Sequence, residues 1–151
     1  MDRKILTELT NMCMIYDNRG NVLVQEKIVN NSKGIIFPGG HIEDNESIID
    51  SIIREIQEET GLTISNLELC GIKDWIEFDG SRYMVFLYKT STYSGSIQSS
   101  SEGEIFWMPL KELKKKETLW HLDMMIEIFE GNRVSELYFN QNLDAIVPEL
   151  K

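Results

Sequence analysis

Cysteine is scarce, long apolar runs are missing and basic charge is in deficit, and each shortage removes a class of protein. Two cysteines, Cys13 and Cys70, occur in 151 residues. Both sit in apolar, strand-like segments, so the expectation is buried thiols in a reducing compartment, hence a cytoplasmic protein, and no disulfide framework. The longest apolar stretches, such as Met12 to Tyr16, are far too short to cross a bilayer. The opening residues Met1-Asp2-Arg3-Lys4 lack the apolar run of a secretory signal. Against 25 Asp and Glu stand 15 Lys and Arg, a formal net charge of −10. A binder of polymeric nucleic acid needs a basic surface to displace counterions, and a membrane-surface protein needs a polybasic patch, so both are disfavoured. Small polyanionic substrates stay open, because divalent cations can invert a local field.

What is present is ordinary globular material: 42% hydrophobic and 26% charged residues. The length suits one domain over residues 1–151, with a sizeable core. No internal repeat or interdomain linker is visible. Charge, however, is concentrated. Between Gly39 and Leu62 lie the acids Glu43, Asp44, Glu46, Asp50, Glu55, Glu58 and Glu59, with Arg54 the one strong base.

The local pattern predicts a strand at Asn11 to Asp17, a turn ending at Gly20 and a returning strand at Val22 to Ile28, together a hairpin. A short apolar run, Ile35 to Phe37, ends at Pro38-Gly39-Gly40. A helix is expected from about Glu46 to Thr60, capped by Asp44 or Asn45 and closed by Gly61. Strands follow at Leu67 to Phe78 and Arg82 to Thr90, then a Ser-rich loop from Ser91 to Ser101. A strand at Glu104 to Pro109, a helical turn, a helix at Leu119 to Phe129 and a last strand at Val134 to Phe139 complete the chain. Strands and helices in this order indicate an α/β (α+β) sandwich.

The helix carries the chemistry. With Glu55 set at 0°, Glu59 falls near 40° and Glu58 near −60°, at roughly 3.6 residues per turn. Ile49, Ile52, Ile53 and Ile56 share the adjoining stripe, which explains docking on a sheet. Nothing in docking explains three carboxylates on one stripe. Like charges at these spacings repel by about 0.2–0.5 kcal/mol per pair, and the helix dipole disfavours anions toward the C-terminus. Hard divalent cations would reverse that penalty. The alternative is a solvated acidic face.

The pattern Gly40-x5-Glu46-x7-Arg54-Glu55-Ile56-x-Glu58-Glu59-x-Gly61-Leu62 resembles the Nudix box at every defined position. The resemblance implies a Nudix-type α/β/α sandwich with a central mixed β-sheet, similar to the MutT-type branch. It implies hydrolysis of a nucleoside diphosphate linked to another moiety, assisted by Mg²⁺ or Mn²⁺. Glu55, Glu58 and Glu59 would bind metal, with a carbonyl of Gly39 or Gly40, and Glu55 is also the candidate general base. Arg54 would hold a neighbouring glutamate, while Glu46 would order the loop–helix junction. MutT-type enzymes add a loop glutamate, for which Glu102 and Glu104 are the candidates, Glu102 preferred. Lys27 stands where relatives carry a basic phosphate contact.

Trp120 and Asp123 resemble a base-binding Trp-x-x-Asp stretch of mammalian oxidised-purine triphosphatases. Leu122-Asp123 stands where those enzymes have two acids, and Ile35 where they have Asn. Phe78 and Tyr83 flank a turn and are further candidates for the pocket. The substrate expected is a nucleoside triphosphate, such as the oxidised purine 8-oxo-dGTP, cleaved to monophosphate and pyrophosphate. Alternatives are another linked diphosphate, such as ADP-ribose or a nucleotide sugar, and a sensor domain that binds without cleaving. A homodimer is compatible with the family.

Overall fold

The computed structural model describes residues 2–142 and 144–151. In chain order the elements are β1 (Thr7–Ile15), β2 (Asn21–Val29), β3 (Ser32–Ile36), α1 (Ile48–Thr60), β4 (Thr63–Ser65), β5 (Glu68–Ile76), β6 (Arg82–Thr90), β7 (Thr92–Ser94), β8 (Glu104–Pro109), α2 (Leu110–Leu113), α3 (Leu122–Phe129), β9 (Glu136–Gln141) and β10 (Ile146–Leu150). The main sheet runs β1-β6-β5-β9-β10 and is mixed: β1 is parallel to β6 and β5 to β9, and the other pairs are antiparallel. A second, antiparallel sheet runs β3-β2-β8, and β4 pairs with β7. The α+β class and the mixed central sheet are those expected.

The expected hairpin of the first two strands does not form. The turn at Asp17 is made, its carboxylate accepting from the Arg19 and Asn21 backbone N–H groups. Beyond it, β1 and β2 meet in one isolated bridge, Tyr16 to Val22, and then enter different sheets. The reason is two-sided burial. Met12 and Met14 point into one core and Cys13 and Ile15 into another, so β1 needs a layer on each face. Strand β2 supplies part of those layers through Val22, Leu23 and Val24 instead of pairing beside β1. Of the two thiols, Cys13 is buried and Cys70 half-buried, and both are free.

Helix α1 covers one face of the main sheet and α3 the other. Ile52 and Ile56 pack with Cys13, Ile15, Leu62, Ile64 and Tyr88. Met125, Ile126 and Phe129 of α3 pack with Leu87, Leu137, Val24 and Phe37. Ser47 caps α1, its hydroxyl accepting from Asp50 N–H at 2.9 Å. Asp44 and Asn45 belong to the turn before it, Asn45 at φ 64°, so the helix starts later than expected. Gly61 closes it at φ 82°, its N–H bonded to the Gln57 carbonyl, as a left-handed residue should. The buried face of α1 comprises Ser51, Ile52, Ile56, Glu59 and Thr60, whereas Ile49 is exposed. The helix is therefore rolled toward its carboxylates, and Glu59 lies inside the buried stripe.

Three strands lay outside the sequence reading. Strands β4 and β7 are too short to show a period, and β7 falls in the segment expected as loop. That segment is also held where Gln98 N–H donates to the Thr60 carbonyl at 2.7 Å. Strand β10 contains Pro148, which an outermost strand tolerates because one side needs no ladder bonds. The capping assignment has a simple check in chemical denaturation. Ser47→Ala should lose about 1 kcal/mol of stability, whereas Asp44→Ala should leave the midpoint unchanged.

Candidate functional site

The site begins with a backbone contact. Residues 38–42 run antiparallel along the free edge of β1. Cys13 N–H donates to the Pro38 carbonyl at 2.9 Å, Asn11 N–H to the Gly40 carbonyl at 2.8 Å, and Ile42 N–H to the Leu9 carbonyl at 3.0 Å. The buried Asn11 side chain locks the approach: its carbonyl accepts from Gly40 N–H at 3.1 Å, and its amide donates to the Ser51 hydroxyl at 2.9 Å. The approach leaves no open space beside either glycine. A Cβ on Gly39 would collide with the Asn11 carbonyl oxygen, and one on Gly40 with the Glu55 carboxylate.

Under this segment lies α1. Glu59, 6% exposed, accepts from Gly39 N–H at 3.0 Å. Burial pushes its carboxyl up to about 7; the Gly39 N–H and Lys27 act against that rise, while Glu55 and Glu102 add to it. Arg54 organises the rest. Its guanidinium grips Glu46 with two bonds, Nε at 3.0 Å and Nη2 at 2.7 Å. It also donates to Glu55 at 3.0 Å, to Glu58 at 3.3 Å and to the His41 carbonyl at 3.0 Å. Glu46 accepts from Glu43 N–H as well, and Arg54 followed by that N–H holds its carboxyl down to about 2. Arg54 and Glu46 thus brace the loop–helix junction.

A cavity of about 620 Å³ opens beside these groups. Glu55, Glu59, Glu102, Lys27, Gly39 and Gly40 line one part of it, and Trp75, Tyr83, Val85, Lys73 and Trp120 another. Lys27 lies 3.8 Å from Glu102 and 5.8 Å from the centre of the Trp120 ring. Trp75 stacks on Tyr83, ring centres 4.4 Å apart and planes within 10°. Trp120 and His121 are consecutive left-handed residues at φ 53° and 63°. That turn leaves the Trp120 side chain half-exposed at the cavity mouth.

Not every candidate is drawn in. Glu58 stays on the outer side of α1, exposed and turned to Arg54. Glu104 sits over a separate shallow depression with Glu26 and Lys33. Asp123 is exposed in the first turn of α3, off the cavity wall, where an acid complements the helix dipole. Phe78 is fully exposed at its turn, whereas Tyr83 does line the cavity. Missed by the sequence reading were Asn11, Lys73 and Trp75. Lys73 left no usable signal: it stands beside Asp74, which is also buried, so charge alone does not mark the inward register.

Among the described residues, no three His, Cys, Asp or Glu side chains converge closely enough to form a ready metal cage. The carboxylates are engaged by partners within the protein, Glu55 and Glu58 by Arg54 and Glu59 by Gly39 N–H. The donor set nevertheless suits a hard divalent cation, since it consists of carboxylates beside backbone carbonyls. Glu59 in particular is a buried carboxylate whose charge burial opposes and a cation would favour.

The NUDIX domain family matches residues 7–127. The uncharacterised Nudix hydrolase YvcI of Bacillus subtilis is 37% identical over 84 residues, covering 52% of this chain and 53% of that protein. Phosphatase NudJ of Escherichia coli is 29% identical over 80 residues, 53% of this chain and 52% of that one. The chain thus spans about half the length of the curated relatives it matches. The crystal structure of a MutT mutator protein from Bacillus halodurans superposes with a TM-score of 0.76 at 27% identity, over 95% of this chain and 97% of the other.

The buried acid has a measurable consequence. An unfolded glutamate titrates near about 4.3, and Glu59 in the fold near about 7. Its proton is therefore released first in the unfolded state, and stability falls as pH rises between those values. Without metal, Glu59→Gln should melt on the order of 5 °C above the parent at pH 8 and together with it at pH 4. An offset equal at both pH values would contradict the assignment.

Proposed function

Because the chain belongs to the NUDIX domain family, we propose that it is a cytoplasmic hydrolase of substrates with a pyrophosphate linkage, acting on nucleoside triphosphates, oxidised purines such as 8-oxo-dGTP among them. The products would be a nucleoside monophosphate and pyrophosphate. The observation that carries this reading is the joining of two chemistries in one cavity. Carboxylates and bare glycine backbone meet indole and phenol rings there. The first set suits a phosphate chain with its cations, and the second a stacked base, worth about 1–3 kcal/mol.

Glu55, Glu59 and Glu102, with the Gly39 carbonyl, would hold Mg²⁺ or Mn²⁺, and Glu58, on the outer side of α1, would join them only by turning away from Arg54. When bound, such a cation neutralises phosphate charge and lowers the pKa of water. The protein's own part is positional. Arg54 keeps Glu55 facing the cavity, where its carboxylate takes a proton from the attacking water. Lys27 reaches the phosphate chain from β2, and Trp120 closes over the base. Water is excluded from the far wall by Val85, Tyr83 and Trp75.

The test is a substrate panel with Mg²⁺ or Mn²⁺, scored by product. Pyrophosphate release from triphosphates is the expected result. Two monophosphates from ADP-ribose or a nucleotide sugar, with triphosphates untouched, would replace it with the other linked diphosphates. No metal-dependent turnover of any member would leave a binding domain. In the active case Glu55→Gln should lower kcat by about 10²–10⁴-fold, the usual weight of a general base, with KM little changed.

A further inference from the structure

Lys73 is a cation in an unusual setting. Its side chain projects from β5 into the cavity, and the residue is 6% exposed. The ammonium donates to the Trp120 carbonyl at 2.6 Å. It lies 5.6 Å from the Trp75 ring centre and 5.3 Å from that of Phe139. Among the described residues, no carboxylate lies within ion-pairing distance, and two of its three N–H donors have no acceptor. A buried charge left this incompletely satisfied costs stability, and its position on a cavity wall lets a ligand supply the missing acceptors.

Its place in the sheet says which part of a ligand it meets. The glycine segment and the α1 carboxylates stand at β1, and β5 lies two strands away across β6. At about 4.8 Å per strand the separation is roughly 10 Å. The same wall carries Trp75, Tyr83 and Val85, flat apolar surfaces suited to a base and unsuited to a phosphate. Trp120 joins the two ends: its carbonyl is held by Lys73 and its ring lies near Lys27.

We propose that Lys73 is a specificity-determining residue that donates to a ring carbonyl oxygen of a base stacked at Trp120, so that the cavity selects keto-edged bases over amino-edged ones. This rests on the reading that the cavity takes a nucleotide. An exocyclic amine at the same place would oppose donor to donor and leave the buried ammonium unpaired. Sites built around such a bond reject the wrong group strongly. Burial lowers the Lys73 ammonium to about 8, so it remains mostly protonated, and a donor, at pH 7.

Inosine and adenosine triphosphates test this, because their bases differ at position 6 as oxygen against amine. Uridine and cytidine triphosphates repeat the contrast at position 4. The parent with Mg²⁺ should prefer the keto member of each pair in kcat/KM by on the order of ten- to a hundred-fold. Lys73→Met should bring both ratios near one, by slowing the keto member. A Lys73 that only anchors the Trp120 turn would slow both members alike and leave the ratio unchanged, which would overturn the proposal, as would a parent without keto preference. Should Lys73→Met not fold, Lys73→Gln keeps a donor for Trp120 and is read on the same ratio. Binding constants from tryptophan fluorescence give that ratio without turnover. A chain that binds both nucleotides with a Lys73-dependent keto preference but cleaves neither would refute the hydrolase and keep this inference.

Discussion

The arrangement depends on how closely residues 38–42 can approach the edge of β1. Three backbone hydrogen bonds set that approach, and the Asn11 side chain fixes it by binding the glycine segment and α1 together. A Cβ at Gly39 would collide with the β1 backbone, and one at Gly40 would displace the Glu55 carboxylate. From this follow the roll of α1, the burial of Glu59 beneath Gly39 N–H, and the direction in which Glu55 faces. The segment works as a sixth strand that carries chemistry in place of side chains.

Electrostatics then divides the acids of α1 and of the loop before it into two kinds. Glu46 and Glu55 are tied to Arg54, and their negative charge is answered within the protein. Glu59 is buried with one backbone donor, and its charge is answered only in part. A fold selected for stability alone would place an apolar residue there, as it does at Ile52 and Ile56 on the same face. Keeping a carboxyl at that position costs stability near neutral pH in exchange for a strong attraction to cations. Lys73 on the opposite wall is the counterpart with the opposite sign, a cation whose surroundings are aromatic rings and a carbonyl.

Local pattern made much of this legible. The spacing from Gly40 to Gly61 marked the helix and its left-handed end, because these features lie within one helix and the loop before it; that the glutamate gripped by Arg54 is Glu46 was not legible. The pairing of β1 was not legible, since a buried strand followed by a turn looks the same whether it folds back as a hairpin or departs to another sheet. Asn11 looked like the start of a strand because its partners are Gly40 and Ser51, far along the chain. Trp120 could be singled out as a ring near the end, but its neighbour across the cavity, Lys73, could not. The inward register of β5 becomes visible only once β6 is laid against it. Asp123 resembled a base contact by spacing, whereas the position of α3 turns it to solvent.

The parallel pairing of β1 with β6 also governs the order in which the molecule can be assembled. Thr7 lies opposite Arg82 and Ile15 opposite Thr90, so this pair cannot close until the helix and β5 have been made. Contacts so distant along the chain carry a large loop-closure entropy and slow the folding reaction. During synthesis β1 precedes β6, so its apolar residues have no partner strand until β6 has followed. Cavity walls drawn from β1, β2, α1, β5, β6 and Trp120 are complete only when nearly everything else is. In this protein, a complete cavity and completed folding should therefore arrive together.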